Sequence, residues 1–114
     1  MPKMGKLITE NEYKGAEHDL TPWVEVNSSR MKAIRFDHAT QAIHVEWGNG
    51  NPAYIYRDAG YETFRRMIRA ASKGKFINRV LNGYSYGPMD TDEMDLPANP
   101  DRQVPLSGAR NIVR

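Results

Sequence analysis

The sequence predicts an α+β domain in which a three-stranded antiparallel meander packs on a C-terminal helical hairpin, with extended tails at both ends. Two observations predict it. Apolar and polar residues alternate over 42–47, which places Ile43, Val45 and Trp47 on one face of a strand. After Gly60, apolar residues recur every three or four positions, as on a helix.

The strands are predicted at 30–37, 42–48 and 53–57. Polar residues at 37–40 separate the first two, and Gly, Asn and Pro at 48–52 separate the second and third. Because both connections are short, consecutive strands are expected to pair antiparallel.

The helices are predicted at 61–72 and 75–82. Asp58 is a candidate N-terminal cap for the first, and Gly74 suits the left-handed position that ends it. A second, shorter apolar stripe then begins at Phe76.

The chain is expected to divide into a polar N-terminal arm (1–22), one domain (23–87) and an acidic, Pro-rich C-terminal tail (88–114). The tails are expected to have no core of their own. The pattern allows Trp23 and Val24 either to extend the sheet as an edge strand or to pack against the helices. The residues predicted to be mostly buried are Ile34, Phe36, Val45, Trp47, Phe64, Ile68 and Phe76.

Charge is segregated along the chain, although the net charge is only +2. Residues 24–87 carry ten Lys or Arg and five Asp or Glu, whereas both flanks are net acidic. A basic centre favours a polyanionic partner, and the acidic segment 90–95 could compete for the same surface. Ordinary surface charge is the alternative.

A basic face on the helices is the main candidate site. Like charges three or four residues apart repel each other unless an anion relieves them, and a phosphate backbone would do so. The unpaired amides at the start of the second helix would add to an anion site. A solvated helix face is the alternative. The candidate phosphate contacts are Arg65, Arg66, Arg69, Lys73, Lys75 and Arg79.

Tyr54 and Tyr56 lie on one face of the third strand and allow two interpretations. They are core residues if they share the face of Ile43 and Val45. They form a platform for stacked bases if they face solvent. The other face of the sheet, with Arg35 and His44 among its residues, is mixed in charge and is expected to be solvent-exposed.

Catalysis is not expected. The chain has no cysteine, and His18, His38 and His44 occur singly without a second ligand at metal spacing. No metal, cofactor or glycine-rich phosphate loop is predicted. Ser28 and Ser29 are expected to bond to the backbone of their turn.

Five segments together resemble the KTSC domain over roughly residues 26–86. They are Ala71-Ser72-Lys73-Gly74-Lys75-Phe76-Ile77-Asn78, Tyr54-Ile55-Tyr56, Asn27-Ser28-Ser29, Ile34-Arg35-Phe36-Asp37 and Asn82-Gly83-Tyr84. That domain is named from the tail of some lysyl-tRNA synthetases, and it also occurs as small stand-alone bacterial and phage proteins. The resemblance implies this fold and, for function, RNA binding.

Two function classes follow. The first is a small non-enzymatic module that binds RNA or another single-stranded nucleic acid through phosphates. The second is an assembly or interaction protein, such as a phage accessory or structural component, whose tails become ordered on a protein partner. No apolar run is long enough for a membrane span, so a cytoplasmic or virion location is expected.

Overall fold

The computed structural model describes residues 17–104, in which five strands and three α-helices form an α+β fold around one antiparallel sheet. The strands are β1 (Val24–Glu25), β2 (Met31–Asp37), β3 (Ala42–Trp47), β4 (Tyr54–Tyr56) and β5 (Tyr86–Pro88), and they are adjacent in this order. The helices are α1 (Tyr61–Arg69), α2 (Lys73–Arg79) and α3 (Thr91–Met94), with a 3-10 helix at Leu81–Gly83.

The prediction of three strands is wrong in number, because one short strand is added at each edge. β1 pairs with β2 through Val24 and Ile34, and β5 pairs with β4 through Gly87 and Ile55. β1 is two residues long and β5 contains Gly87 and Pro88. Neither segment can display an alternating pattern, and proline is tolerated only at a sheet edge.

The helices are shorter than predicted and do not end the domain, since β5 and α3 follow them. The residue before α1 is Gly60, with a positive φ of 91°, and Asp58 makes no cap. Gly74 is also not the left-handed end of α1. It lies in the first turn of α2, because Ser72 begins that helix by accepting a hydrogen bond from the Lys75 amide at 3.3 Å.

The main core lies between one face of the sheet and the helices. Five of the seven residues predicted to be buried are fully so, whereas Trp47 and Phe76 are half-buried at its margin. Trp47 is the last residue of β3, and its side chain is only partly covered by the core. The buried residues of this core include Ile34, Phe36, Ile43, Val45, Tyr56, Phe64, Met67, Ile68, Ile77 and Leu81.

The second face of the sheet is covered as well, contrary to the prediction that it is solvent-exposed. Ile55 packs there against Met89, which follows β5, and Met94 of α3 lies beside them. Arg35 and His44 are 1% and 0% exposed. The segment predicted to be a tail therefore covers this face through Met89, Glu93 and Met94.

Side-chain bonds also tie the two flanks of the sheet to each other. Asp19 accepts a hydrogen bond from Asn99 Nδ2 at 2.7 Å and another from Arg102 Nε at 2.7 Å. His18 Nδ1 lies 2.6 Å from Asp37 Oδ2. The parts of the predicted arm and tail at 1–16 and 105–114 lie outside the described residues. In the described part of the chain, none of the helices has the length and apolar character needed to cross a bilayer.

Candidate nucleic-acid interface

An aromatic groove of about 600 Å³ runs between the edge of the sheet and the region of α2 and the 3-10 helix. The strand register builds its wall. Tyr54 is opposite Val45 of β3, and Tyr56 is opposite Tyr86 of β5, so the three tyrosines share one face. Trp47 extends this row from the end of β3. We call this cavity the aromatic groove; its aromatic lining is Trp47, Tyr54, Tyr56 and Tyr86.

The four rings form one connected cluster. Tyr54 and Tyr86 are stacked with centroids 5.7 Å apart, and Trp47 meets Tyr54 edge-on at 5.6 Å. Tyr86 is 46% exposed, whereas Tyr56 is buried in the core. Both tyrosines therefore share the face of Ile43 and Val45, as the first interpretation has it: Tyr56 is a core residue, the half-buried Tyr54 packs against the core, and both line the groove.

Burial, together with the neighbouring phenols of Tyr86 and Tyr54, raises the pKa of Tyr56 to about 12. The hydroxyl of Tyr56 is thus neutral throughout the physiological range. The Tyr56 hydroxyl therefore keeps its proton at neutral pH.

Arg30 stands at the rim of the aromatic groove, immediately before β2. The pairing of β2 with β3 brings it to Trp47, and its guanidinium carbon lies 5.8 Å from the centre of the indole ring. On its other side the guanidinium meets α2 at Gly74, where a Cβ atom would lie 3.3 Å from Arg30 Nη1. Within residues 17–104, the Arg30 side chain has no ion pair and no hydrogen bond. It is a positioned cation whose donors are available to a ligand.

A second cavity of about 380 Å³, the polar groove, continues from Arg30 toward α2. Arg30 and Ser29 line both grooves. The polar groove is lined further by Ser28, Ser72, Gly74, Lys75 and Asn78, among others. In the described part of the chain, neither lining contains an aspartate or a glutamate.

Ser28 organises the turn that leads to Arg30. Its hydroxyl accepts hydrogen bonds from the amides of Arg30 at 3.1 Å and Met31 at 3.3 Å. The predicted bonding of Ser28 to the turn backbone is therefore confirmed.

The predicted basic face does not form as one stripe. Lys73 is 6% exposed, and its Nζ donates to the carbonyl oxygens of Ile68 at 3.0 Å and Ala70 at 2.7 Å. It caps the end of α1, which uses two of the three donors of its ammonium group. Burial lowers the pKa of Lys73. In sequence, Lys73 is four residues after Arg69, which is the spacing of one helix turn. The two residues nevertheless lie on different helices, because residues 70–72 separate α1 from α2.

The arginines of α1 are partly neutralised. Glu62 lies 3.2 Å from Arg65 and 4.0 Å from Arg69, and Arg66 lies over the ring of Phe76 at 5.7 Å. Of the predicted contacts, Lys75 is the cation that lines a groove, while Arg79 is exposed on α2 and lines neither. At the start of α2, where unpaired amides are predicted to add to an anion site, the amide of Lys75 already donates to Ser72 Oγ.

Sequence reasoning missed Arg30, Trp47 and Tyr86 as site residues. Arg30 precedes a strand and Tyr86 follows a helical region, so no local pattern connects them. The glycine and asparagine residues at 48–51 did mark the hairpin that borders the groove. Only the pairing of β2, β3, β4 and β5 in sequence brings these rings and this cation together.

The histidines form no metal centre within residues 17–104, where no group of three potential ligands occurs. Burial and the adjacent Arg35 charge hold the pKa of His44 well below its usual value. Its Nδ1 accepts a hydrogen bond from Arg35 Nε at 2.9 Å.

A sequence model of the KTSC domain matches residues 27–86, which is more than half of the chain, and the chain belongs to the KTSC domain family. The fold is similar to a crystal structure of a KTSC domain protein from Yersinia pestis, with a TM-score of 0.57 and 21% identity. That similarity covers 62% of this chain and 99% of the other. A comparison with curated proteins found no match.

Proposed function

We propose that this protein is a non-enzymatic module that binds single-stranded nucleic acid, RNA or DNA, in the aromatic groove. The observation that supports this most is Arg30, held over the indole of Trp47 without a carboxylate partner among the described residues. It places a cation for phosphate beside rings on which bases can stack.

The aromatic wall supplies the base contacts in this proposal. Stacking of a base on an aromatic side chain contributes about 1–3 kcal/mol and tolerates any sequence. Tyr86, with almost half of its surface exposed, and the half-buried Trp47 and Tyr54 offer such surfaces. An exposed aromatic cluster in a groove without acidic residues fits a single strand, whose bases are unstacked and accessible.

The groove supports the proposal better than the helix face does. Glu62 would repel a phosphate placed between Arg65 and Arg69, whereas the groove linings contain no carboxylate within the described residues. The phosphate contacts in this proposal are therefore Arg30 and Lys75, with Arg65, Arg66, Arg69 and Arg79 in a long-range electrostatic role.

A second candidate is an assembly or interaction protein, including a phage accessory or structural component. It rests on β5, which forms one edge of the sheet in the described chain and carries the exposed Tyr86. A partner strand could add to such an edge. A protein partner would depend on Tyr86 and show little dependence on salt, whereas a nucleic acid would depend on both.

The test is fluorescence anisotropy with labelled single strands of about twelve nucleotides, RNA and DNA, and with matched duplexes. Arg30→Gln and Tyr86→Ala should each weaken single-strand binding, by about tenfold. Arg79→Gln is the matched charge control: Arg79 is an exposed arginine outside both grooves, so its loss should weaken binding much less than the loss of Arg30. If none of the single strands binds in a salt-sensitive way, the proposal is rejected in favour of the second candidate.

A further inference from the structure

We propose that the polar groove is a phosphate subsite, and that it receives the phosphate of the nucleotide whose base lies in the aromatic groove. The inference rests on the proposed function and extends it. It defines the smallest ligand as one nucleotide with its phosphate, rather than a nucleoside or an isolated base.

The connection between the two grooves is the first argument. Arg30 and Ser29 belong to both linings, so the two cavities adjoin at these residues. The guanidinium of Arg30 lies against Trp47 on the aromatic side and against Gly74 on the polar side. A base on the rings would place its phosphate next to this guanidinium.

The charge of the polar groove is the second argument. Its lining includes the cations of Arg30, Lys73 and Lys75, and within the described residues it includes no carboxylate. Lys73 Nζ is occupied by two carbonyl oxygens, which leaves Arg30 and Lys75 to face an anion. The side chains of Ser29 and Asn78 add neutral hydrogen-bonding groups. This set of donors matches phosphate oxygens, which accept hydrogen bonds only.

Gly74 is the third argument. α2 is too short, and its first turn too well capped by Ser72, to bind an anion through its backbone. Instead, the first turn of α2 leaves room for the Arg30 side chain. A Cβ atom at position 74 would lie 3.3 Å from Arg30 Nη1 and 3.5 Å from Arg30 Cδ. The glycine therefore allows the guanidinium to reach the junction of the two grooves.

The experiment compares uridine 5′-monophosphate, uridine and inorganic phosphate by amide NMR titration of the full chain. The nucleotide should shift signals of both grooves, including the Trp47 indole and the Gly74 and Lys75 amides. Phosphate alone should shift only the polar groove, and uridine should bind at least about tenfold more weakly than the nucleotide. Equal affinities for uridine and the nucleotide would overturn the subsite.

Variants provide the second test. Lys75→Gln should weaken nucleotide binding and reduce the log–log salt slope of single-strand binding by about 0.7, the value for one phosphate contact. Gly74→Ala should weaken binding in the same direction by displacing Arg30. Lys32→Gln is the control, because Lys32 is an exposed lysine outside both grooves that lies 3.8 Å from Glu46.

The two proposals fail differently. Single-strand binding that depends on Tyr86 but has an unchanged salt slope in Lys75→Gln would reject the phosphate subsite and keep the proposed function. Nucleotide binding that requires both grooves, without binding of any oligonucleotide, would reject the proposed function and keep the subsite.

Discussion

Arg35 donates a hydrogen bond from Nη2 to the carbonyl oxygen of Glu93 at 2.7 Å, across a sequence separation of 58 residues. Its Nη1 donates to the carbonyl oxygen of Leu96, and its guanidinium lies 4.3 Å from the ring of Trp23. A fully buried arginine thus joins β2 to residues that follow the last strand. The C-terminal segment is part of the folded domain as far as these contacts extend.

Loss of this arginine is expected to destabilise the protein. Arg35→Met should lower the free energy of unfolding by at least about 2 kcal/mol, because it removes the donor of two buried hydrogen bonds, to His44 and Glu93, and of a partly buried one to Leu96. Urea denaturation followed by tryptophan fluorescence measures the change. Lys32→Met, at an exposed position of the same strand, is the control. Equal midpoints for the two variants would contradict the prediction.

Removal of the C-terminal segment also tests the contacts of Arg35 with Glu93 and Leu96. A chain that ends at Pro88 loses Met89 and the residues that bind Arg35, so it exposes the second face of the sheet. We expect a lower melting temperature than for a chain that ends at Val104, measured by circular dichroism. The alternative, in which the acidic segment 90–95 only shields a basic surface, predicts unchanged stability and tighter nucleic-acid binding on truncation.

Acid should destabilise the protein through His44. Because burial and Arg35 lower the pKa of His44, the unfolded chain binds a proton near pH 6.5 that the folded chain does not bind. The stability that depends on neutral His44 is therefore complete above pH 6.5 and is lost as the pH falls below it. Melting temperatures between about pH 7.5 and 5 should decrease for the parent.

The substitution His44→Gln should make that decrease smaller. His38→Gln is the comparison, because burial also lowers the pKa of His38, which is only half-buried. A decrease of the same size in the parent and in His44→Gln would show that other groups cause the acid sensitivity.

The core and the groove rim should respond differently to removal of an aromatic ring. Phe64→Ala should lower the free energy of unfolding by about 3–5 kcal/mol, since Phe64 is completely buried and stacks on Phe36 at 5.4 Å. Trp47→Ala should have a smaller effect, because Trp47 is only partly covered. Chemical denaturation of both variants decides this, and an equal loss would place Trp47 in the core.

Lys73 should stabilise the junction of α1 and α2 rather than bind a ligand. Lys73→Met removes two hydrogen bonds to the end of α1 and should cost about 1–3 kcal/mol. Lys75→Met, two residues away and exposed, should leave the free energy of unfolding nearly unchanged. A reversed order of the two variants in urea denaturation would contradict the assigned roles.

The elements with a strong local pattern could be predicted from the sequence. Alternation over 42–47 and helical spacing from Tyr61 to Ile68 record which side chains share a face, and burial of Val45, Phe64 and Ile68 confirmed these faces. Such periodicity is a property of a few consecutive residues, so it can be read without knowing the rest of the fold. The family resemblance depended on other short segments of the chain and was confirmed.

What covers each face was decided only by the tertiary structure. The polar composition of Arg35 and His44 indicates solvent, and nothing near them in sequence indicates that residues 89–96 return to bury them. The candidate site has the same origin. Arg30, Trp47 and Tyr86 are unremarkable in their own segments, and strand pairing alone brings them to one groove, because register acts between residues that are distant in the chain.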